Sequence, residues 1–242
     1  MNQIQNKMPF TIKKEAEKLT IYLYDDIKPD EVDRWTGEKI PSETSAKTIS
    51  QLLEENPNVA EIELHINSNG GDVEEAVAIY SLLKRHKAKT TAYIDGFAAS
   101  AASVIPMACD KIIMSTVSLM FIHRAWMWAC GNPEQLRKAA HDLEVIDAQS
   151  NKAYKEKAGE KISQAELDEL LDGETWLSAE ECLKIGLCDE IENKVEEKKT
   201  IAQQMFNNFQ QKNFEKMQKE QKSIIQKMGD SIRLNKKENK EI

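Results

Sequence analysis

Apolar positions along the chain switch between two periods. Between residues 19 and 192, short runs rich in β-branched and aromatic residues alternate with segments whose apolar positions recur every three or four. "LTIYLYDDI" (19–27) and "EIELHIN" (61–67) read as strands, and between them "SAKTISQLLEEN" (45–56) sets Ile49, Leu52 and Leu53 at helical spacing. Strand, helix, strand implies a parallel crossover, since antiparallel neighbours need only a short turn. After "HINSNGGD", the segment "VEEAVAIYSLLKRH" (73–86) places Val73, Val77, Tyr80 and Leu83 on one helical face behind Asp72 as its cap. Another crossover leads into "TTAYID" (90–95), and "KIIMS" (111–115) and "SLMFIHRAW" (118–126) supply two more strands. The pattern is that of an α/β domain.

Two further segments depart from simple alternation. In "DGFAASAASVIP" (95–106), Ala98, Ala99, Ala101 and Ala102 surround Ser100, with Ser103 a turn later. The block reads either as a tight strand-to-helix join that lets backbones approach or as a nucleophile seated on that join. An apolar helix opens at Ser100, and Pro106 either kinks it or ends it early. Residues 133–157 form a long helix, with Leu136, Ala139, Leu143, Ile146 and Ser150 recurring at threes and fours. Asn132 is its cap, Pro133 its first position, Gln135 the third residue after the cap, and Gly159 its end. Residues 1–18 are an N-terminal extension. Residues 193–242, rich in Lys, Gln and Asn, form a charged tail that is partly helical or disordered.

Composition removes several classes of function. A chain of 242 residues that is 40% hydrophobic can bury one substantial core. A net charge of -8 argues against nucleic acid as a partner, because phosphate backbones are bound by clustered Lys and Arg. No apolar run has the length of a membrane span or signal peptide, so a cytoplasmic location is expected. Cys109, Cys130, Cys182 and Cys188 form no CxxC pair and have no His at zinc-ligand spacing, so they read as reduced core residues. Neither GxxxxGK[ST] nor GxGxxG occurs, which leaves nucleotide binding without support. No metal or organic cofactor is expected.

Sites in α/β sheets gather at the carboxyl ends of strands, where helix N-termini aim backbone N–H groups outward. One such end carries "NSNGGD", in which Gly70 and Gly71 allow a sharp turn and a close backbone approach. Another carries Ser100. A serine nucleophile needs a base, and the chain has only four histidines. His86 and His141 lie on charged helices, and His65 lies within a strand. His123 ends an apolar run beside the place where the Ser100 helix should pack, as a core histidine or as the base. A carboxylate to orient it is available in Asp172 or Glu174, in the loop leading to a helix that opens with the Ser178–Glu181 capping box.

Four blocks, "INSNGGDVEEAVAIY", "DGFAASAASVIPMACDKIIM", "LMFIHRAW" and "ETWLSAEECLKIGLCDEI", follow one another in the order of the ClpP family of serine peptidases. The resemblance covers residues 20–192. The "GFAASAAS" form, "ETW" before the last helix and "WTGE" near Trp35 are most similar to the phage-encoded ClpP-related proteases that process capsid or scaffold proteins in head maturation. The resemblance implies a ClpP/crotonase-like spiral of ββα units with a protruding handle helix, here the helix from Pro133. It also implies subunits stacked in rings around an enclosed chamber. It makes Ser100 the nucleophile and His123 the general base, with an oxyanion hole from Gly71 and Ala101 and with Gly70 shaping the turn. It implies a protein or peptide substrate, with an ATP-driven unfoldase or a capsid or scaffold protein as the further partners to test. Two positions depart from the family pattern. Asn69 replaces proline in the glycine turn, and Glu174 stands where the family has aspartate, so Asp172 remains the alternative acid. A catalytically silent ring subunit and a crotonase-type acyl-CoA enzyme are the competing readings.

Overall fold

Residues 61–68 bury every second side chain, Ile62, Leu64, Ile66 and Ser68, and this alternation makes them the central strand of the molecule. The computed structural model describes residues 14–15 and 17–192. Its strands are β1 (Lys14–Glu15), β2 (Lys18–Leu23), β3 (Glu31–Val32), β4 (Lys39–Ile40), β5 (Glu61–Ser68), β6 (Lys89–Ala99), β7 (Lys111–Ser115), β8 (Leu119–Ile122), β9 (Thr175–Ser178) and β10 (Glu190–Glu192). Its helices are α1 (Ala46–Glu55), α2 (Val73–Arg85), α3 (Ala101–Val104), α4 (Pro133–Ala158), α5 (Gln164–Asp172) and α6 (Ala179–Ile185). The tail at 193–242 and most of the N-terminal extension lie outside the described residues.

The main sheet runs β1-β2-β5-β6-β7-β10, all parallel from β2 onward, with β8 and β9 attached through the far end of β6. The expected crossovers are thus present, and α1 and α2 make them. Ser45 and Asp72 cap these helices by accepting from the amides of Thr48 and Glu75. Their buried stripes meet Ile21, Leu23, Leu64, Ile66 and Ile94 in one core. On α2 that stripe is Ala76, Ile79 and Leu83, with Val73 and Tyr80 at its edge. It is rotated from the expected face through Val77, because a small alanine lets the helix sit closer to the sheet. β3 and β4 form a separate hairpin that carries Trp35, 98% exposed, at its turn.

α4 begins as its sequence signals: Asn132 and Gln135 close a reciprocal capping box, with Pro133 in the first turn. Only its last part is buried, at Ala153, Tyr154 and Ala158. The expected apolar stripe farther up is at most partly covered, and Leu136 is exposed. β8 stops at Ile122, so Trp126 and Trp128 lie beyond the strand on irregular backbone and are exposed. Cys109, Cys182 and Cys188 are core residues as expected, whereas Cys130, just before α4, is exposed. Among the described residues no helix is long and apolar enough to cross a membrane.

Candidate active site

β6 changes neighbours halfway along its length. Up to Ile94 it pairs with β7, and from Phe97 to Ala99 it pairs with β8. Between the two stretches it bulges against β5, where Ile66 faces Ile94 but Ser68 faces Ala98. The extra residues are held by Asn67, whose Oδ1 accepts from the Phe97 amide at 3.1 Å, and a Cβ on Gly96 would overlap that same side chain. The bulge re-aims the strand end, and Ala98 and Ala99 are buried there. The alanines on both sides of Ser100 thus allow the close approach that one reading of the small-residue block expects, and Ser100 itself sits on the join between β6 and α3.

Ser100 caps α3 with φ 52 and ψ -128, a left-handed backbone outside the ordinary wells. Such strain costs about 1–3 kcal/mol. It is offset locally by the Ser100 amide donating to the Phe121 carbonyl at 2.8 Å and by the Ser103 amide donating to the Ser100 carbonyl at 2.9 Å. Each such bond contributes about 0.5–1.5 kcal/mol net. Ser103 Oγ also approaches the Ser100 carbonyl, at 2.5 Å, and the buried Tyr154 hydroxyl of α4, at 2.6 Å. α3 ends at Val104, and a 3₁₀ turn over Ile105–Ala108 takes up Pro106, so the proline ends the α-helix early.

The β6–β8 register sets Ala99 opposite Phe121, which brings the next residues of the two strands together beyond the ladder. His123 Nε2 lies 2.7 Å from Ser100 Oγ. The imidazole stacks on Phe121 (centroids 5.0 Å apart), and Phe121 stacks in turn on Trp176 (4.7 Å). Burial pushes the His123 pKa below its ordinary value. The charge of Glu174, a backbone hydrogen bond at Arg124 and the charge of Asp147 oppose that shift without cancelling it.

β9 runs antiparallel to β8, and the last pair of their ladder is Ile122 with Thr175. One step further along the same register are His123 and Glu174. Glu174 is exposed, has φ 48 and acts on the imidazole through its charge; among the described residues no hydrogen bond joins the two side chains. Asp172 is otherwise engaged. It closes α5 rather than lying in a loop, and its Oδ1 accepts from Arg124 Nε at 2.8 Å. The same guanidinium donates from Nη1 to Asp147 Oδ2 and from Nη2 to Asp168 Oδ1, each at 2.9 Å.

The Gly70–Gly71 turn packs against the Ser100 elbow. It is fastened by the Ile27 amide donating to the Gly70 carbonyl and the Asp72 amide donating to the Ile27 carbonyl, both at 2.7 Å. Gly70 and Gly71 have φ 100 and 138, and a Cβ on Gly70 would stand 2.6 Å from the Ala99 carbonyl oxygen and 2.7 Å from Ser100 Cβ. Glycine is required at both positions. Among the described residues the amides of Gly71 and Ala101 have no protein acceptor. The other histidines lie away from this group: His65 Nδ1 is 2.7 Å from Asp95 Oδ2, His86 ends α2, and His141 lies on the exposed side of α4.

Sequence reasoning did not single out Arg124, Asp147, Asp168 or Tyr154. Arg124 was within reach, as a charged residue ending an apolar strand beside a candidate base. Its partners lie on other elements and leave no local signature. Among the described residues no group of three or more His, Cys, Asp and Glu is placed to hold a metal ion, and the carboxylates around Arg124 are occupied by its guanidinium.

Comparison with known proteins bears on the fold and the family of the chain. The chain is 26% identical over 189 residues to an ATP-dependent Clp protease proteolytic subunit of Chlorella vulgaris, covering 76% of this chain and 92% of that one. Its fold resembles that of a mutant of ClpP1 from Listeria monocytogenes with a TM-score of 0.60 and 22% identity, covering 72% of this chain and 91% of the other. The mixed α/β architecture with its long α4 is thus the ClpP fold. A family model described as Clp protease matches residues 30–195, more than half of the sequence, and the chain therefore belongs to the Clp protease family.

Proposed function

We propose that this protein is a serine endopeptidase that cleaves peptide bonds through an acyl-enzyme on Ser100. The observation that carries the reading is the 2.7 Å approach of His123 Nε2 to Ser100 Oγ at a strained strand end. With Nε2 accepting from the serine, the imidazole proton resides on Nδ1. Ser100 Oγ attacks the scissile carbonyl carbon while Nε2 takes its proton, and the protonated imidazole then hands that proton to the leaving amine. Water, deprotonated by the same nitrogen, releases the acyl group. The amides of Gly71 and Ala101 stabilise the tetrahedral oxyanion. Glu174 steadies the imidazolium by its negative charge, the role left to the third group of a triad.

Membership of the Clp protease family supports a ring of subunits acting on protein substrates. Two physiological roles remain to be separated. The "GFAASAAS", "ETW" and "WTGE" forms favour processing of phage capsid or scaffold proteins. The name of the Chlorella relative, a proteolytic subunit of an ATP-dependent Clp protease, favours ATP-dependent proteolysis, for which an unfoldase would be the partner to test. The primary test is a fluorophosphonate probe. The wild type is expected to be labelled at Ser100 and Ser100→Ala to be inert, and full peptidase activity in Ser100→Ala would refute the mechanism. Incubation with capsid and scaffold proteins, and separately with unfoldase and ATP, decides between the two roles by which substrate is cut.

A further inference from the structure

We propose that Arg124 is a positioning residue that ties the backbone carrying His123 to the two helices framing the site, and so holds the imidazole against Ser100. The inference rests on the reading of Ser100 and His123 as nucleophile and base. Its starting point is that β8 ends at Ile122, so His123 stands where no strand pairing holds the chain. Arg124 takes over that task. Its Nε, Nη1 and Nη2 each donate to a different carboxylate: Asp172 and Asp168 on α5, and Asp147 on α4. The second oxygen of Asp147 accepts from the Ala125 amide at 2.9 Å, so one carboxylate grips both the side chain of Arg124 and the backbone just after it. Asp168 is held in turn by Asn151 Nδ2 at 2.8 Å.

This is more than a surface ion pair. An exposed pair contributes little, because two flexible side chains must be ordered for a small gain. Here one planar fork satisfies three partners, and the Asp147 side chain is only 15% exposed. Lysine, a single point charge, cannot reproduce that geometry. Asp172 lies two residues before Glu174, so the same guanidinium also fixes the turn that presents the acid to the imidazole. Arg124 has an electrostatic task as well, since it neutralises Asp147, whose charge acts on His123. The charged groups acting on His123 are Glu174 from the α5–β9 turn and Asp147 from α4, with Arg124 adjacent in the chain. Neutralising Arg124 leaves the Asp147 charge unopposed and raises the affinity of the imidazole for a proton.

The test compares the full-length wild type with Arg124→Gln and Arg124→Lys. Three quantities are read: the ¹³C NMR titration of His123, assigned with a His123→Gln variant; the rate of fluorophosphonate labelling of Ser100; and oligomer size with thermal unfolding. Arg124→Gln is expected to raise the His123 midpoint by about half a unit or more and to slow labelling by about tenfold or more. Arg124→Lys is expected to keep the midpoint near that of the wild type, yet to slow labelling by about threefold or more, because the charge survives and the fork does not. A purely structural role would change unfolding alone. Wild-type titration and labelling within about twofold in a folded Arg124→Gln would overturn the proposal. Should that variant not fold, labelling of Arg124→Lys within about twofold of the wild type overturns it equally. If the wild type itself is not labelled at Ser100, the peptidase reading fails, whereas the titration of His123 still decides whether Arg124 governs the imidazole.

Discussion

Glu174, the acid the sequence favours, and Asp172, its alternative, stand two positions apart in different surroundings. Glu174 occupies the register position opposite His123, whereas Asp172 is bound to Arg124. Glu174→Gln is therefore expected to lower peptide turnover by about a hundredfold, and Asp172→Asn by about tenfold or less, because Arg124 keeps two other carboxylates. Turnover measured alongside oligomer size checks this, and a crippled Asp172→Asn beside an active Glu174→Gln would reverse the assignment. The pH profile provides a second check. The base must be neutral, and burial lowers its pKa, so kcat/KM should hold down to a pH below the ordinary imidazole value of about 6.5 before it falls. Removing the Glu174 charge removes an influence that raises that pKa, so the acid limb of Glu174→Gln should move to still lower pH. Ser103 belongs to stability. Ser103→Ala leaves the buried Tyr154 hydroxyl without its partner and is expected to cost about 1–3 kcal/mol in urea unfolding, with Ser100 still labelled.

The elements around the site are precise because they lean on one another's backbones. Gly70→Ala would drive a Cβ into the Ala99 carbonyl and the Ser100 Cβ at a φ that alanine avoids. Loss of labelling together with a lowered melting temperature is the expected result, and an active, unperturbed variant would mean that the turn can move away from the elbow. Much of this architecture is legible in the sequence where signals are local. Asn132, Pro133 and Gln135 announce α4, Asp72 announces α2, and the alternation of "EIELHIN" announces β5. β9 is not legible in this way, because four residues carry too little periodicity. The neighbour change of β6 depends on Asn67 from another strand. α5 did have a local start signal, the reciprocal Ser163–Glu166 box, which an assignment of Asp172 to a loop overlooks. The resemblance of the motif blocks already pairs Ser100 with His123, but their 2.7 Å approach rests on a register that only the folded sheet defines.

At the scale of the molecule, the upper part of α4 and the segment before it present apolar side chains that are exposed among the described residues. Trp126 is 66% and Trp128 72% exposed, with Leu136 and Val145 also exposed. Uncovered aromatics of this kind mark contact surfaces. Native mass spectrometry is expected to show a closed oligomer, and an active monomer would contradict the assembly. Cys130 provides a way to watch that assembly. Cys109, Cys182 and Cys188 are buried, and burial pushes the Cys109 thiol up to about 12, so none of the three is poised to react. The one outward thiol stands two positions from Trp128. The native sequence thus already contains a single-site attachment point for a maleimide dye, without any engineered cysteine. The modification rate at Cys130 would follow subunits closing over this surface and parting again in real time.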